Sequence, residues 1–290
     1  MSRSAKGLLG KPGYRNAKRP EFAADPTRPP ALSPRCAPYR AGALSGTMHT
    51  MRNPRISAAD LHVHTTASDG TATPRQVLEW ASARTGISVI AICDHNTVEG
   101  ALEAASIAHE FPIEVVVGQE VESADGHILG LWAPERVAPD RSATETIADI
   151  HAQGGLAVIA HPFAPHWWHK HGLSRGERPI YDECAYDAVE VANSTPLLFL
   201  ANFHARAYWR ENRARLAATG GSDAHMLHAV GTSLTLFEGS TAADLRAALE
   251  SRETRGWGPG FSATRAWRYA RRVKEIRRRN IESQERSRGR

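Results

Sequence analysis

Asp60-Leu61-His62-Val63-His64-Thr65-Thr66-Ala67-Ser68-Asp69-Gly70 is the stretch of this 290-residue chain on which its fold turns. Leu61 and Val63 alternate with His62 and His64, the period-2 pattern of a strand, so both imidazoles leave the strand on one face. Two ring nitrogens placed that way can reach one metal ion at about 2.1 Å. The strand runs directly into a polar turn that carries the carboxylate of Asp69. A single His-x-His pair is weak evidence, so its weight depends on whether the same arrangement recurs downstream.

It recurs. Apolar runs predict strands over 60–64, 87–93, 113–121, 127–132, 156–160, 188–191, 216–220 and 232–237. Helical spacing predicts helices over 74–85, 97–110, 142–153, 197–216 and 241–251, the first capped by Thr73 with Pro74 in its first turn. Such alternation predicts a parallel α/β fold, as barrel or open sheet. His62 and His64, then Asp94 and His95, Glu120, His161, and Asp223 with His225 all fall at C-terminal strand ends, and His127 opens a strand. Barrel enzymes carry their chemistry on that rim, which favours a barrel with one shared site.

Composition sets the limits. The net charge of +5 comes from the ends: residues 1–59 and 265–290 each carry 11 Lys/Arg, leaving 14 basic and 26 acidic residues between 60 and 264. An acidic, histidine-rich middle suits several divalent cations. The widely spaced Cys36, Cys93 and Cys184 fit a reducing cytoplasm and exclude a full disulfide framework. No apolar run reaches the length of a membrane span. Neither a Gly-rich phosphate loop nor a Ser, Cys or Lys nucleophile motif is present. Residues 1–58 read as a disordered Pro/Arg-rich extension, 59–262 as the catalytic domain, and 263–290 as a basic tail with a helical stretch.

Taken in order, D-x-H-x-H-T-x-x-S-D-G, Asp94-His95, Gly118-Gln119-Glu120, His127-x-x-Gly130, Ala160-His161-Pro162 and Gly221-Ser222-Asp223-Ala224-His225 make the sequence resemble the PHP (polymerase and histidinol phosphatase) family from Asp60 to about Arg255. The resemblance implies a distorted (β/α)7 TIM-like barrel with two or three divalent metals, of the Mn, Fe or Zn kind. By motif, His62, His64, Glu120 and Asp223 would hold one metal. Glu120 would bridge to a second, also bound by His127 and His161, and Asp69, His95 and His225 would bind a third. Asp94 would orient its neighbours. The implied activity is hydrolysis of a phosphoester, from a small phosphorylated metabolite or nucleotide, by metal-bound hydroxide. Asp223 would sit with His225 or His161 at the reacting centre, the two histidines assisting proton transfer.

Around this set, Trp168, Lys170 and Arg178 follow His161 closely enough to overhang the site, where a ring could stack and a phosphate be met. Asn193 and Glu190, at another strand end, are candidate substrate or supporting contacts. The segment 197–216 predicts a helix burying Phe199, Phe203, Tyr208 and Trp209, with Arg206, Arg210, Arg213 and Arg215 on its solvated face. Two other functions fit the same residues: a nuclease trimming nucleic-acid ends, and a metal-binding regulatory protein without turnover. The basic tails would give affinity for nucleic acid or an anionic membrane surface.

Overall fold

In the computed structural model, residues 55–164, 179–258 and Arg271 are described. The extension 1–58 up to residue 54, the loop with Trp168, Lys170 and Arg178, and the tail 263–290 apart from Arg271 lie outside the described residues. Among these residues nine strands form one sheet: β1 (Ile56–Val63), β2 (Val89–Ile92), β3 (Glu114–Ser123), β4 (Gly126–Leu131), β5 (Leu156–Ile159), β6 (Ala188–Asn193), β7 (Ala217–Gly221), β8 (Leu234–Glu238) and β9 (Arg255–Trp257). Among the described residues six α-helices accompany them: α1 (Pro74–Arg84), α2 (Glu99–Ile107), α3 (Ala143–Ala152), α4 (Pro179–Glu183), α5 (Phe199–Asn212) and α6 (Ala242–Ser251). Thr73, Ser142 and Thr241 form capping boxes at the starts of α1, α3 and α6, so these boundaries are set by local sequence.

The strand order is β7-β6-β5-β4-β3-β2-β1-β8-β9. Past the end of β7, Ala224 pairs in parallel with Val63, and His64 N donates to the Ala224 carbonyl at 2.9 Å. The sheet therefore nearly closes into the expected barrel. Beyond the α/β alternation, however, not every strand is parallel: β4 is antiparallel to both β3 and β5, and β8 to both β1 and β9. The cause at β4 is the two-residue connection Ala124-Asp125, since a parallel crossover needs a dozen residues or more. Asp125-Gly126, with Gly126 at φ 128, is a hairpin signal that was present in the sequence.

Alternate residues of the strands feed different cores. Ala59, Leu61, Val89, Ala91, Val116, Leu129, Val158, Ala188, Ala217 and Phe237 share a cluster with Leu245 and Leu249 of α6. Their neighbours Ile90 and Ile92 pack on α1 and α2, and Ala157, Ile159, Val189 and Ala218 on α3 and α5. Both faces of the sheet are covered, which explains the near-continuous apolar runs. The helix 197–216 starts later than expected, at Phe199, and turns a different face inward. Ala201, Ala205 and Tyr208 are buried, whereas Phe203 is 66% exposed. Arg206 donates to the Val191 carbonyl and Arg215 to the Tyr181 carbonyl, so neither is simply solvated. No helix among the described residues is long and apolar enough to cross a membrane.

Candidate metal centre

Near closure of the barrel brings the C-terminal strand ends together, and with them all nine sequence-selected ligand candidates. His62 and His64 leave β1, Asp69 follows in the turn, and His95 lies past β2, bridged to Glu120 on β3. The β3–β4 hairpin swings His127 back so that its Nδ1 stands 2.8 Å from Glu120 Oε1. His161 follows β5, and Asp223 and His225 follow β7. Asn96, His161 and Asp223 all take positive φ, at 56°, 26° and 54°. Strained backbone in non-glycine residues clustered at strand ends is a mark of a functional site.

Glu120 is the hub. Its Oε1 lies 2.8 Å from His127 Nδ1 and 2.9 Å from His161 Nε2. Its Oε2 lies 3.2 Å from His62 Nε2, 3.3 Å from His64 Nε2 and 3.4 Å from His95 Nδ1. Asp223 Oδ1 faces His62 Nε2 at 3.6 Å and His64 Nε2 at 3.3 Å. Four sets have ligand atoms within 4.8 Å of one another: His62–His64–Asp223, His62–Glu120–His161, His95–Glu120–His127 and His64–Asp69–His95–His225. The grouping differs in detail from the motif expectation, because His64 also faces the Asp69 set and His95 the Glu120–His127 set.

The donors fit divalent cations on the structure's own evidence. His62 Nε2, both ring nitrogens of His64 and His95 Nδ1 are buried without a hydrogen-bond partner among the described residues. Buried polar atoms left in this way call for a ligand. His225 Nδ1 lies 3.0 Å from the Asp223 carbonyl, which favours a proton on Nδ1, and Nε2 lies 3.1 Å from Asp69 Oδ2, so that a cation could take both atoms as ligands. Two further carboxylates, outside the ligand set, hold the segments. Asp94 accepts from Thr65 N, Thr65 Oγ1 and Ser68 Oγ at 2.6–2.7 Å, fixing the turn that carries Asp69. Asp60 accepts from Ser222 N and Gly231 N at 2.8 and 2.7 Å, joining β1 to the Asp223 segment. Burial pushes the Asp60 carboxyl up to about 6, against those hydrogen bonds. Asn193, expected as a substrate contact, is buried and turns both its amide hydrogens and its oxygen to protein groups. Asp60, the first residue of the D-x-H-x-H motif, had no role assigned from the sequence; its place at the head of the His-x-His strand was the available signal. His151, outside every motif, pairs with Asp187 beside the start of β6.

Electrostatics favour charge separation in the metal-free protein. Burial opposes ionisation of Glu120 and Asp223, but the surrounding imidazoles hold both well below the usual carboxylate range. Burial likewise opposes protonation of His64, yet Asp223 and Glu120 override it and push the imidazole up to about 9. An unfolded imidazole titrates near ~6.5. Its contribution to stability is therefore complete below about 6.5 and is lost as the pH rises through about 9. The chelator-treated protein should melt at lower temperature as the pH goes from about 7 to 9. Divalent metal needs the imidazoles neutral, so its affinity should rise over that window. A melting temperature that stays level or climbs would show these rings already neutral at pH 7.

The family model described as PHP domain matches residues 60–281. An uncharacterised protein of Methanocaldococcus jannaschii is 41% identical over 118 residues, 37% of this chain and 68% of its own length. A 5'-3' exoribonuclease of Haemophilus influenzae is 43% identical over 76 residues, 25% of this chain and 27% of that one. A phosphoribosyl 1,2-cyclic phosphate 1,2-diphosphodiesterase of Eggerthella lenta is 42% identical over 82 residues, 26% and 31% of the two chains. The chain thus spans under a third of either enzyme. A two-domain protein from Bacteroides vulgatus containing a predicted PHP-like metal-dependent phosphoesterase superposes with a TM-score of 0.57 at 18% identity, over 71% of this chain and 65% of that one. At that identity the likeness is one of fold.

Proposed function

Because the chain belongs to the PHP domain family, a family of metal-dependent phosphoesterases, we propose that it hydrolyses a small phosphorylated metabolite or nucleotide at this centre, with 59–262 as the catalytic domain. The observation that carries this reading is the Glu120 carboxylate, each of whose oxygens faces a different set of imidazoles. Two or three divalent cations held there would supply Lewis-acid activation of water and neutralise the non-reacting phosphoryl oxygens.

The chain's own residues supply the rest of the chemistry. Glu120 and Asp223, both buried, hold negative charge at the centre of the donor sets, and His62, His64, His127 and His161 would bind around it. Asp69, His95 and His225 form the outer edge, where the Asp69 side chain is 57% exposed. His225, at 28% exposure, and His95, at 22%, are the imidazoles open to solvent, whereas His161 at 2% is enclosed. Where metal leaves a ring nitrogen of His225 free, that imidazole can take up the proton released on hydrolysis. Asp223 orients that ring through its own backbone carbonyl.

Elemental analysis joined to a phosphate-release screen tests the proposal. After growth with Mn, Fe and Zn, the protein should hold two or three equivalents and release phosphate from mono- or diesters. Less than one equivalent, or no release with the metals bound, would sink it. The exoribonuclease match makes a short oligoribonucleotide the informative extra substrate. Faster turnover of it than of any small ester would transfer the assignment to nuclease chemistry at the same centre.

A further inference from the structure

Strand β6 contributes none of the nine candidate ligands, yet its Glu190 is 1% exposed and touches the centre from below. Glu190 Oε2 accepts from His161 N at 2.8 Å and from Asn193 Nδ2 at 3.0 Å. The amide of Asn193 is itself fixed, because Nδ2 also donates to Asp223 Oδ2 at 3.3 Å while its oxygen accepts from Thr195 N at 2.9 Å. Thr195 Oγ1 donates to the same Asp223 oxygen at 3.1 Å, leaving Asp223 Oδ1 to the imidazoles. With Oε2 engaged by two donors, Glu190 Oε1 is left to His62 Nδ1 at 3.2 Å. An ionised carboxylate only accepts, so His62 Nδ1 must carry the hydrogen. The lone pair is thereby placed on Nε2, the nitrogen that faces Glu120 and Asp223.

We propose that Glu190 is a positioning residue that selects the tautomer of His62, making Nε2 the metal-binding nitrogen, and that through His161 N and Asn193 it sets the same frame for His161 and Asp223. The proposal rests on the metal-centre reading above. It assigns β6 a role in the site although β6 supplies no ligand. Partners of this kind behind a ligating imidazole typically matter by 10–100-fold in metal affinity.

The decisive variant is Glu190→Gln, which is nearly isosteric. Two N–H groups converge on the Oε2 position, so the amide oxygen must occupy it and the NH2 group must face His62 Nδ1. A donor there favours the tautomer with hydrogen on Nε2, which fills the lone pair needed by the metal. Glu190→Asp keeps an acceptor and the charge but changes the reach. If Glu190 merely filled space, Gln would be the milder change; if it selects the tautomer, Gln is the worse one.

The test uses the full chain, stripped with chelator and titrated with Co2+, followed by its ligand-field absorption, with Zn2+ measured by chelator competition. Glu190→Gln should weaken one metal equivalent by about 10–100-fold, and more than Glu190→Asp does, with a changed Co2+ spectrum. Binding within about twofold of wild type, or a smaller loss for Gln than for Asp, overturns the proposal. Because Glu190→Gln also removes a charge, the tautomer is read separately in the Zn2+-loaded wild type by long-range 1H–15N correlation. Hydrogen on His62 Nδ1 with metal on Nε2 supports the proposal, and the reverse overturns it however the variants fold. A wild type that takes up no Co2+ or Zn2+ would instead remove the metal-centre premise itself.

Discussion

Changing Glu120 to Gln should lower phosphate release by about 100-fold or more and cost the protein at least one of its metal equivalents. The substitution hardly alters volume, so its effect is chemical. Glu120 is 1% exposed and presents one oxygen to His127 and His161 and the other to His62, His64 and His95. An amide oxygen can serve only one of those sets. The NH2 group meets imidazoles whose lone pairs are wanted by metal. Losing a direct contact to two sites should exceed the ~10–100-fold typical of partners one shell further out. His127→Ala, which removes a ring facing a single oxygen of Glu120, should be milder. Elemental analysis and initial rates on one aryl phosphate check both. Full metal content together with more than about a tenth of wild-type rate in Glu120→Gln would refute the bridging role.

Gly221→Ala should rank next, although it adds one methyl group. A Cβ on Gly221 would collide with His62 Cβ and stand 2.7 Å from Glu190 Oε1 and 3.0 Å from His62 N. His62 Cβ and N are fixed by the backbone and the Glu190 carboxylate is pinned through Oε2, so β1 and β7 must separate where the barrel closes. Overpacking of this kind costs about 1–3 kcal/mol. For a domain of this size each kcal/mol lowers the melting temperature by roughly 2–4 °C. Metal affinity should fall along with it, because His62 is the residue displaced. Gly154→Asn is the control: Gly154 sits at φ +75 with nothing within 4 Å of its Cβ position, and Asn tolerates that backbone. Equal melting temperatures for the two variants would mean that the closure has slack.

Much of this was legible along the chain. The period-2 alternation at 60–64, the capping residues Thr73, Ser142 and Thr241, and polar residues at the ends of apolar runs are all set by neighbours within a few positions. They were enough for an α/β barrel, for the family resemblance and for nine candidate ligands that the fold does gather. The antiparallel β4 was legible too, in Asp125-Gly126, but strand–helix alternation elsewhere pointed to a parallel sheet. The inward face of α5 was not legible, because Phe199 and Phe203 stand on one side of the helix and Tyr208 on the other, and only packing decides which side is covered.

What only the tertiary structure decided is how the polar groups are partnered. Asp60 meets Ser222 across 162 residues, Glu190 meets His62 across 128, and Asp94 meets Thr65 across 29. Each is a buried carboxylate that hydropathy marks as a surface residue. Burial of a charge is tolerated only where donors converge on it, and those donors come from strands brought side by side by closure of the barrel. Local sequence determines where a strand ends and which side chain stands there. The register and closure of the sheet determine which atom of that side chain faces a metal and which faces a neighbouring carboxylate, and that follows from contacts between segments far apart in the chain.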